Sequence, residues 1–133
     1  MKICFADAFY YFALLSPNDE AHDRALAMTR QTMGQIVTTP WVLTEVADGL
    51  ASPTNRTLFL ELMQLLNTHP DVVTVPAEES LFREGIALYT ARTDKDWSLT
   101  DCISFQVMRR MGIRDALTGD HHFEQAGFVA LLR

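Results

Sequence analysis

Cysteine is scarce in this chain. There are two among 133 residues, Cys4 and Cys102, each in apolar company. Neither has a partner at zinc-ligand spacing, so they read as small core residues of a protein kept in a reducing compartment. Positive charge is the second deficit: Lys and Arg number 11 against 17 Asp and Glu, a formal net charge of −6. Such a chain has no broad pull on nucleic acid or anionic membranes, and chemistry on a polyanion would need a local basic rim or a bound cation. Long hydrophobic runs are missing as well. No window could span a bilayer without a charge. The opening MKICFADAFYYFALL is interrupted by Asp7, and no small-residue cleavage site follows, which argues against a signal peptide. The expected location is the cytoplasm.

Glycine and proline are few, six and five, and they punctuate rather than cluster. With no repeat, low-complexity tract or linker, residues 1–133 read as a single domain able to build a core without disulfide or metal staples. A Walker-type loop, HExxH and G-x-S-x-G are also absent. A phosphate-handling receiver or phosphatase would need an acid pair just after the first strand and a later Lys, and neither stands out.

What is present is an alternation. Short apolar stretches read as strands at Lys2–Ala6, Ile36–Thr38, Asp71–Val75, Asp115–Thr118 and Phe128–Leu131. Between them lie helical patterns. Ala8–Leu15 is rich in aromatics and stops at the turn Ser16–Asp19, and Glu20–Met33 is ended by Gly34. Thr39–Pro40 gives an N-cap followed by proline at the first helical position, starting a helix that runs to about Leu50. Ser52–Pro53 breaks the chain before Leu58–Leu66, whose Leu58, Leu62, Leu65 and Leu66 share one side. Ala77–Arg92 is helical, Thr93–Trp97 a polar loop, Ser98–Met111 a helix closed by Gly112, and Asp120–Gln125 a short last helix. Strands alternating with helices predict an α/β fold with a parallel sheet of about five strands between helical layers, and ligands at the carboxyl ends of its strands.

Four acids fall at that edge. Asp7 follows the first strand, and Asp120 follows the strand ending at Thr118. Asp101 sits in the first turn of a helix that must run back against the sheet, and Glu45 in the second turn of the helix after the second strand. Each has a plainer role open to it. Asp7 and Asp120 can be N-caps, Ser98-x-x-Asp101 resembles a capping box, and Glu45 points away from the apolar face of Leu43, Val46, Ala47 and Leu50. Yet Asp101 heads an apolar stripe with Phe105 and Met108, an expensive place for a carboxylate without a partner. Convergent carboxylates need a cation between them, and oxygen-only ligands suit Mg²⁺ or Mn²⁺. Such an ion can activate water for attack on phosphorus. Asp96 lies close enough to Asp101 to support it. His121–His122 is a candidate phosphate contact that, with no further ligand nearby, more often marks a surface. Arg92, Lys95 and Arg114 are candidate phosphate contacts.

The stretches FADAFYYFALLSPNDEAHDRA, TTPWVLTEVADGL, DKDWSLTDCISFQVM and ALTGDHHFEQAGF together resemble PIN-domain ribonucleases of the VapC toxin type, in order and spacing, over nearly the whole chain. The resemblance implies a three-layer α/β/α fold and Mg²⁺- or Mn²⁺-dependent RNA cleavage. It matches Asp7, Glu45, Asp101 and Asp120 to the family's four acids, with Asp7 and Asp101 as direct metal ligands. Thr118 matches a hydroxyl residue found before the last acid. It also implies a cognate antitoxin, for which Phe9, Tyr10, Tyr11 and Phe12 are candidate contacts if they do not face the core, and often a homodimer. One departure is Ala8, where the family commonly has Ser or Thr, which removes a hydroxyl beside the first acid. The alternative reading is a catalytically weak or inactive PIN-fold module that binds protein.

Overall fold

A computed structural model describes residues 2–31 and 34–133. Five parallel strands form its centre: β1 (Ile3–Ala6), β2 (Gln35–Thr38), β3 (Val72–Thr74), β4 (Asp115–Leu117) and β5 (Val129–Ala130), in the spatial order β3-β2-β1-β4-β5. Seven helices are described: α1 (Ala8–Leu15), α2 (His22–Gln31), α3 (Pro40–Gly49), α4 (Arg56–Thr68), α5 (Glu79–Ala91), α6 (Leu99–Met111) and α7 (His121–Gln125). Sheet and helices make the expected three-layer α/β/α arrangement. The helix expected over Glu20–Met33 starts later, at His22, because the Asp19 carboxylate accepts from the Ala21 amide (2.8 Å) and holds a turn there. The Met33 end of that expectation lies outside the described residues.

β1 is the central strand, and its residues Cys4, Phe5 and Ala6 are fully buried. A strand covered on both faces reads as a continuous apolar run, which is why CFA shows no alternation. Both cysteines are buried, as expected of small core residues. Helix α6 is the other core element. Cys102, Ile103, Ser104, Phe105, Val107 and Met108 are all buried along it, so it is covered on nearly every side. Ser98 caps its start. Gly112, at φ 67°, closes its end, and the Ile113 amide bonds back to the Met108 carbonyl at 2.8 Å.

Two expectations change. The loop Thr93–Trp97 is not simply polar. Trp97 is buried, packs edge-on against Phe105 at 5.0 Å, and donates its indole N–H to Gln125 Oε1 at 3.0 Å. That anchor delivers Ser98 and the start of α6 to the carboxyl edge of the sheet. On α4, Leu62 and Leu66 are buried but Leu65 is 60% exposed. The helix packs on α3 at the margin of the fold, so only a narrow stripe of it is covered.

Helices α5 and α6 approach closely because Gly85 has no side chain. A Cβ there would lie 2.3 Å from Ile103 Cγ1 and 3.3 Å from its backbone. Helix propensity alone would favour Gly85→Ala by about 1 kcal/mol. Ile103 is buried and β-branched, so the clash outweighs that gain. Urea denaturation should show a net loss of about 1–2 kcal/mol for this variant.

Candidate functional site

The chain leaves the centre of the sheet in one direction through β2 and β3, then returns to the other side of β1 through β4 and β5. The crevice therefore opens beyond the carboxyl ends of β1 and β4, where the order reverses. Register fixes what meets there. Ala6 pairs with Leu117, so the next residues, Asp7 and Thr118, come side by side. Thr118 Oγ1 donates to Asp7 Oδ2 at 2.9 Å and accepts from the Asp120 amide at 3.1 Å. One buried hydroxyl thus ties the first acid to the turn that presents the last.

Asp7 stands at the N-cap position of α1, but its side chain makes no capping bond. The capping role does not account for it. Asp120 does cap α7, accepting from the His122 amide at 2.9 Å. Asp101 forms the capping box in full: its amide donates to Ser98 Oγ at 3.0 Å, and its Oδ2 accepts from the Ser98 amide at 3.2 Å. Capping and clustering are not alternatives here, because each bond uses one carboxylate oxygen. Glu45 is exposed and reaches the same crevice from α3, whose start is set by Thr39 accepting from the Val42 amide at 3.2 Å. Asp7, Glu45, Asp96, Asp101, Asp120 and His122 line one cleft of about 550 Å³, walled by Ala8, Phe9, Phe12 and Ser98.

The electrostatics follow from burial and like charge. Asp7 is pushed up to about 7, first by desolvation and then by Asp101, against the opposing bond from Thr118. Asp101 is raised by its burial and by Asp120, with the Ser98 amide and His122 pulling the other way. Glu45 is raised by desolvation, Asp101, Asp120 and Asp48. The acids feel one another, and among the described residues no Lys or Arg lines the cleft.

His122 changes standing most. Its ring is not at the surface: the side chain is 19% exposed, and Nδ1 lies 3.1 Å from Asp101 Oδ2 and 3.3 Å from Asp120 Oδ1. His121 beside it is exposed. Among the described residues, one set of three donor side chains with ligand atoms within 4.8 Å of one another is Asp120, His121 and His122. The aromatic run divides as helix geometry demands. Tyr10 and Tyr11 are buried in the core, whereas Phe9 is 36% exposed and Phe12 partly buried. Arg92 is engaged with Asp94 at 3.0 Å and stacked over Trp97, so it is not free for phosphate. Lys95 lines a neighbouring cleft that shares Asp96 and Ser98, and Arg114 lines neither of the two.

A family model described as the PIN domain matches residues 6–129. Among curated protein sequences none matches the chain. The chain is similar in structure to Mycobacterium tuberculosis VapC20, a Sarcin-Ricin loop cleaving toxin, with a TM-score of 0.87 and 23% identity over 96% of this chain and 97% of that one. It is also similar to FitAcB from Neisseria gonorrhoeae, with a TM-score of 0.64 and 15% identity over 96% of this chain and 94% of that one. At these identities the likeness is one of fold. No described helix is long and apolar enough to cross a membrane.

The Asp7 carboxyl makes stability depend on pH in the metal-free protein. The unfolded chain ionises it near 3.8, and the folded chain holds its proton to about 7. Between those values the native state binds the extra proton, so stability falls as pH rises from about 4 to 7 and then levels. The loss is at most about 4 kcal/mol. In EDTA, thermal melts of Asp7→Asn should show a shallower slope than wild type, the remainder coming from Asp101 and Glu45, with the variant exceeding the wild type at pH 8 and differing least at pH 4.

Proposed function

Because the chain belongs to the PIN-domain family, we propose that it is a divalent-metal-dependent endoribonuclease, a VapC-type toxin held in check by a cognate antitoxin. The single observation that carries this reading is the cleft that gathers Asp7, Glu45, Asp101 and Asp120 from four separate elements. VapC20 is a toxin that cleaves the Sarcin-Ricin loop, which supports RNA as the substrate class.

The residues fit a hard cation. The four acids offer only carboxylate oxygens, and burial, with the charges of Asp101 and Glu45, holds the proton on Asp7 to about 7. Asp7 and Asp101 are the residues that would hold Mg²⁺ or Mn²⁺. When bound, the ion supplies a Lewis acid to the phosphodiester and lowers the pKa of water at the site. Glu45 is the exposed acid with a raised pKa, which suits it to accept the proton of the attacking water. Asp120, which caps α7 and lines the cleft, completes the negative wall. Thr118 orients Asp7. Asp96 lies at the margin, where it meets solvent and incoming substrate. Phe9 and Phe12, on the cleft wall, are the side chains of the aromatic run left for an antitoxin to cover.

The reading of the chain as a binding module without catalysis leans on Ala8. Its force is reduced by Thr118, just past the neighbouring strand β4, which gives Asp7 a hydroxyl partner at 2.9 Å.

Purified protein should cut RNA in the presence of Mn²⁺ or Mg²⁺ and stop in EDTA, with products mapped at their ends. Asp101→Asn should lower the rate by at least about 100-fold, and Thr118→Val should weaken metal affinity by about 10-fold. Metal-independent cleavage, or full activity in Asp101→Asn, would overturn the proposal.

A further inference from the structure

We propose that His122 is a positioning residue for this cleft, its Nδ1–H bridging Asp101 and Asp120 so that Asp101 is held with its remaining oxygen left for an ion and Asp120 is fixed beside it. The inference rests on the reading of the cleft as a metal site.

The geometry assigns the proton. Nδ1 sits 3.1 Å from Asp101 Oδ2 and 3.3 Å from Asp120 Oδ1. A bare nitrogen lone pair between two carboxylate oxygens would be repelled by both, so Nδ1 carries hydrogen and donates. The oxygens it meets are already used by the backbone. Asp101 Oδ2 takes the Ser98 amide, and Asp120 Oδ1 takes the amide of His122 itself. The protein's hydrogen bonds therefore gather on Oδ2 of Asp101 and Oδ1 of Asp120. The other oxygen of each remains for a ligand. Thr118 treats Asp7 in the same manner, bonding Oδ2.

The ring is held where this requires. Phe123, the next residue, is fully buried and packs edge-on against Phe105 of α6 at 4.9 Å, which locks α7 against the helix bearing Asp101. The His121 ring lies beside His122 with centroids 4.5 Å apart. The arrangement matches the way hydrogen-bonded partners of metal-binding groups orient them elsewhere in proteins, where losing such a partner weakens affinity about 10–100-fold.

Two amide substitutions separate the ring nitrogens. Asn places its side-chain N–H near Nδ1, and Gln reaches toward Nε2. Mn²⁺ binding to the full-length protein, followed by electron paramagnetic resonance, should be weakened about 10–100-fold in His122→Ala and His122→Gln. His122→Asn should stay within a few-fold of wild type. Circular dichroism establishes that each variant is folded, and a purely structural role would leave the affinity of the folded fraction unchanged. Equal affinity in all three variants, or retention by Gln with loss in Asn, overturns the inference. Wild-type protein that binds Mn²⁺ without cutting RNA rejects the nuclease reading alone and leaves this series decisive. Wild-type protein that binds no Mn²⁺ rejects the metal site and this inference with it.

Discussion

Mutual repulsion among carboxylates at one edge of the sheet is the constraint around which the rest of the molecule is arranged. Asp7 follows three fully buried residues and is itself 5% exposed. Nothing local requires an acid there, since it caps no helix. Burial raises its affinity for a proton most, and the neighbouring Asp101 and Glu45 raise it further. A fold under selection for stability alone would place an amide or a small apolar residue at this point. The cost is tolerable because the surrounding core is well formed, and because the neighbouring hydroxyl of Thr118 satisfies one of the two oxygens.

The sheet order turns that local strain into a site. With β1 between β2 and β4, the residues just past β1 and β4 must adjoin, whatever their chemistry. Helix α6 then runs back toward the start of β4, so its first turn returns to the same edge. Trp97 is the unobvious member of this arrangement. Its packing on Phe105 and its bond to Gln125 join the loop before α6 to α7, and so place Asp101 and Asp120 on mutually anchored supports. Precision at the cleft derives from buried aromatic contacts on the far side of those helices, not from the acids themselves, which would separate if unrestrained.

Most of the architecture was legible in the sequence, because alternation of short apolar runs with helical patterns leaves few topologies for a parallel sheet. The positions of Asp7, Asp101 and Asp120 followed from chain direction alone. Glu45 was less accessible. Its helical wheel points away from the apolar face, and only the placement of α3 beside the crevice brings that outward face to the cleft. His122 was missed as a partner of the acids because its contact with Asp101 depends on how α7 docks on α6, a long-range relation that adjacent histidines do not signal. Its one local clue was Phe123, an apolar residue that had to face inward. Tyr10 and Tyr11 could be assigned to either face until α2 and α3 were placed. Ala8 leaves no hydroxyl beside Asp7 in sequence, and the hydroxyl that does meet Asp7 is that of Thr118, brought there by the pairing of β1 with β4.

Charge distribution bears on how an acidic protein would handle a polyanion under the proposed function. Five of the 17 acidic residues line the one cleft. The negative charge is therefore concentrated, and a bound divalent ion would offset it where it matters most. Elsewhere the surface offers little long-range steering, since Arg92 is paired with Asp94, and Arg83 and Arg110 are paired with glutamates. Affinity for RNA must then come from short-range terms at the cleft itself: the ion, hydrogen-bond donors, and the exposed ring of Phe9, which overlies Gly119 between Thr118 and Asp120. Such a site selects substrates by shape and local strand exposure more than by charge density. Under that reading, the acids that destabilise the empty fold and the weak steering of its surface have a common origin in a site built around a cation.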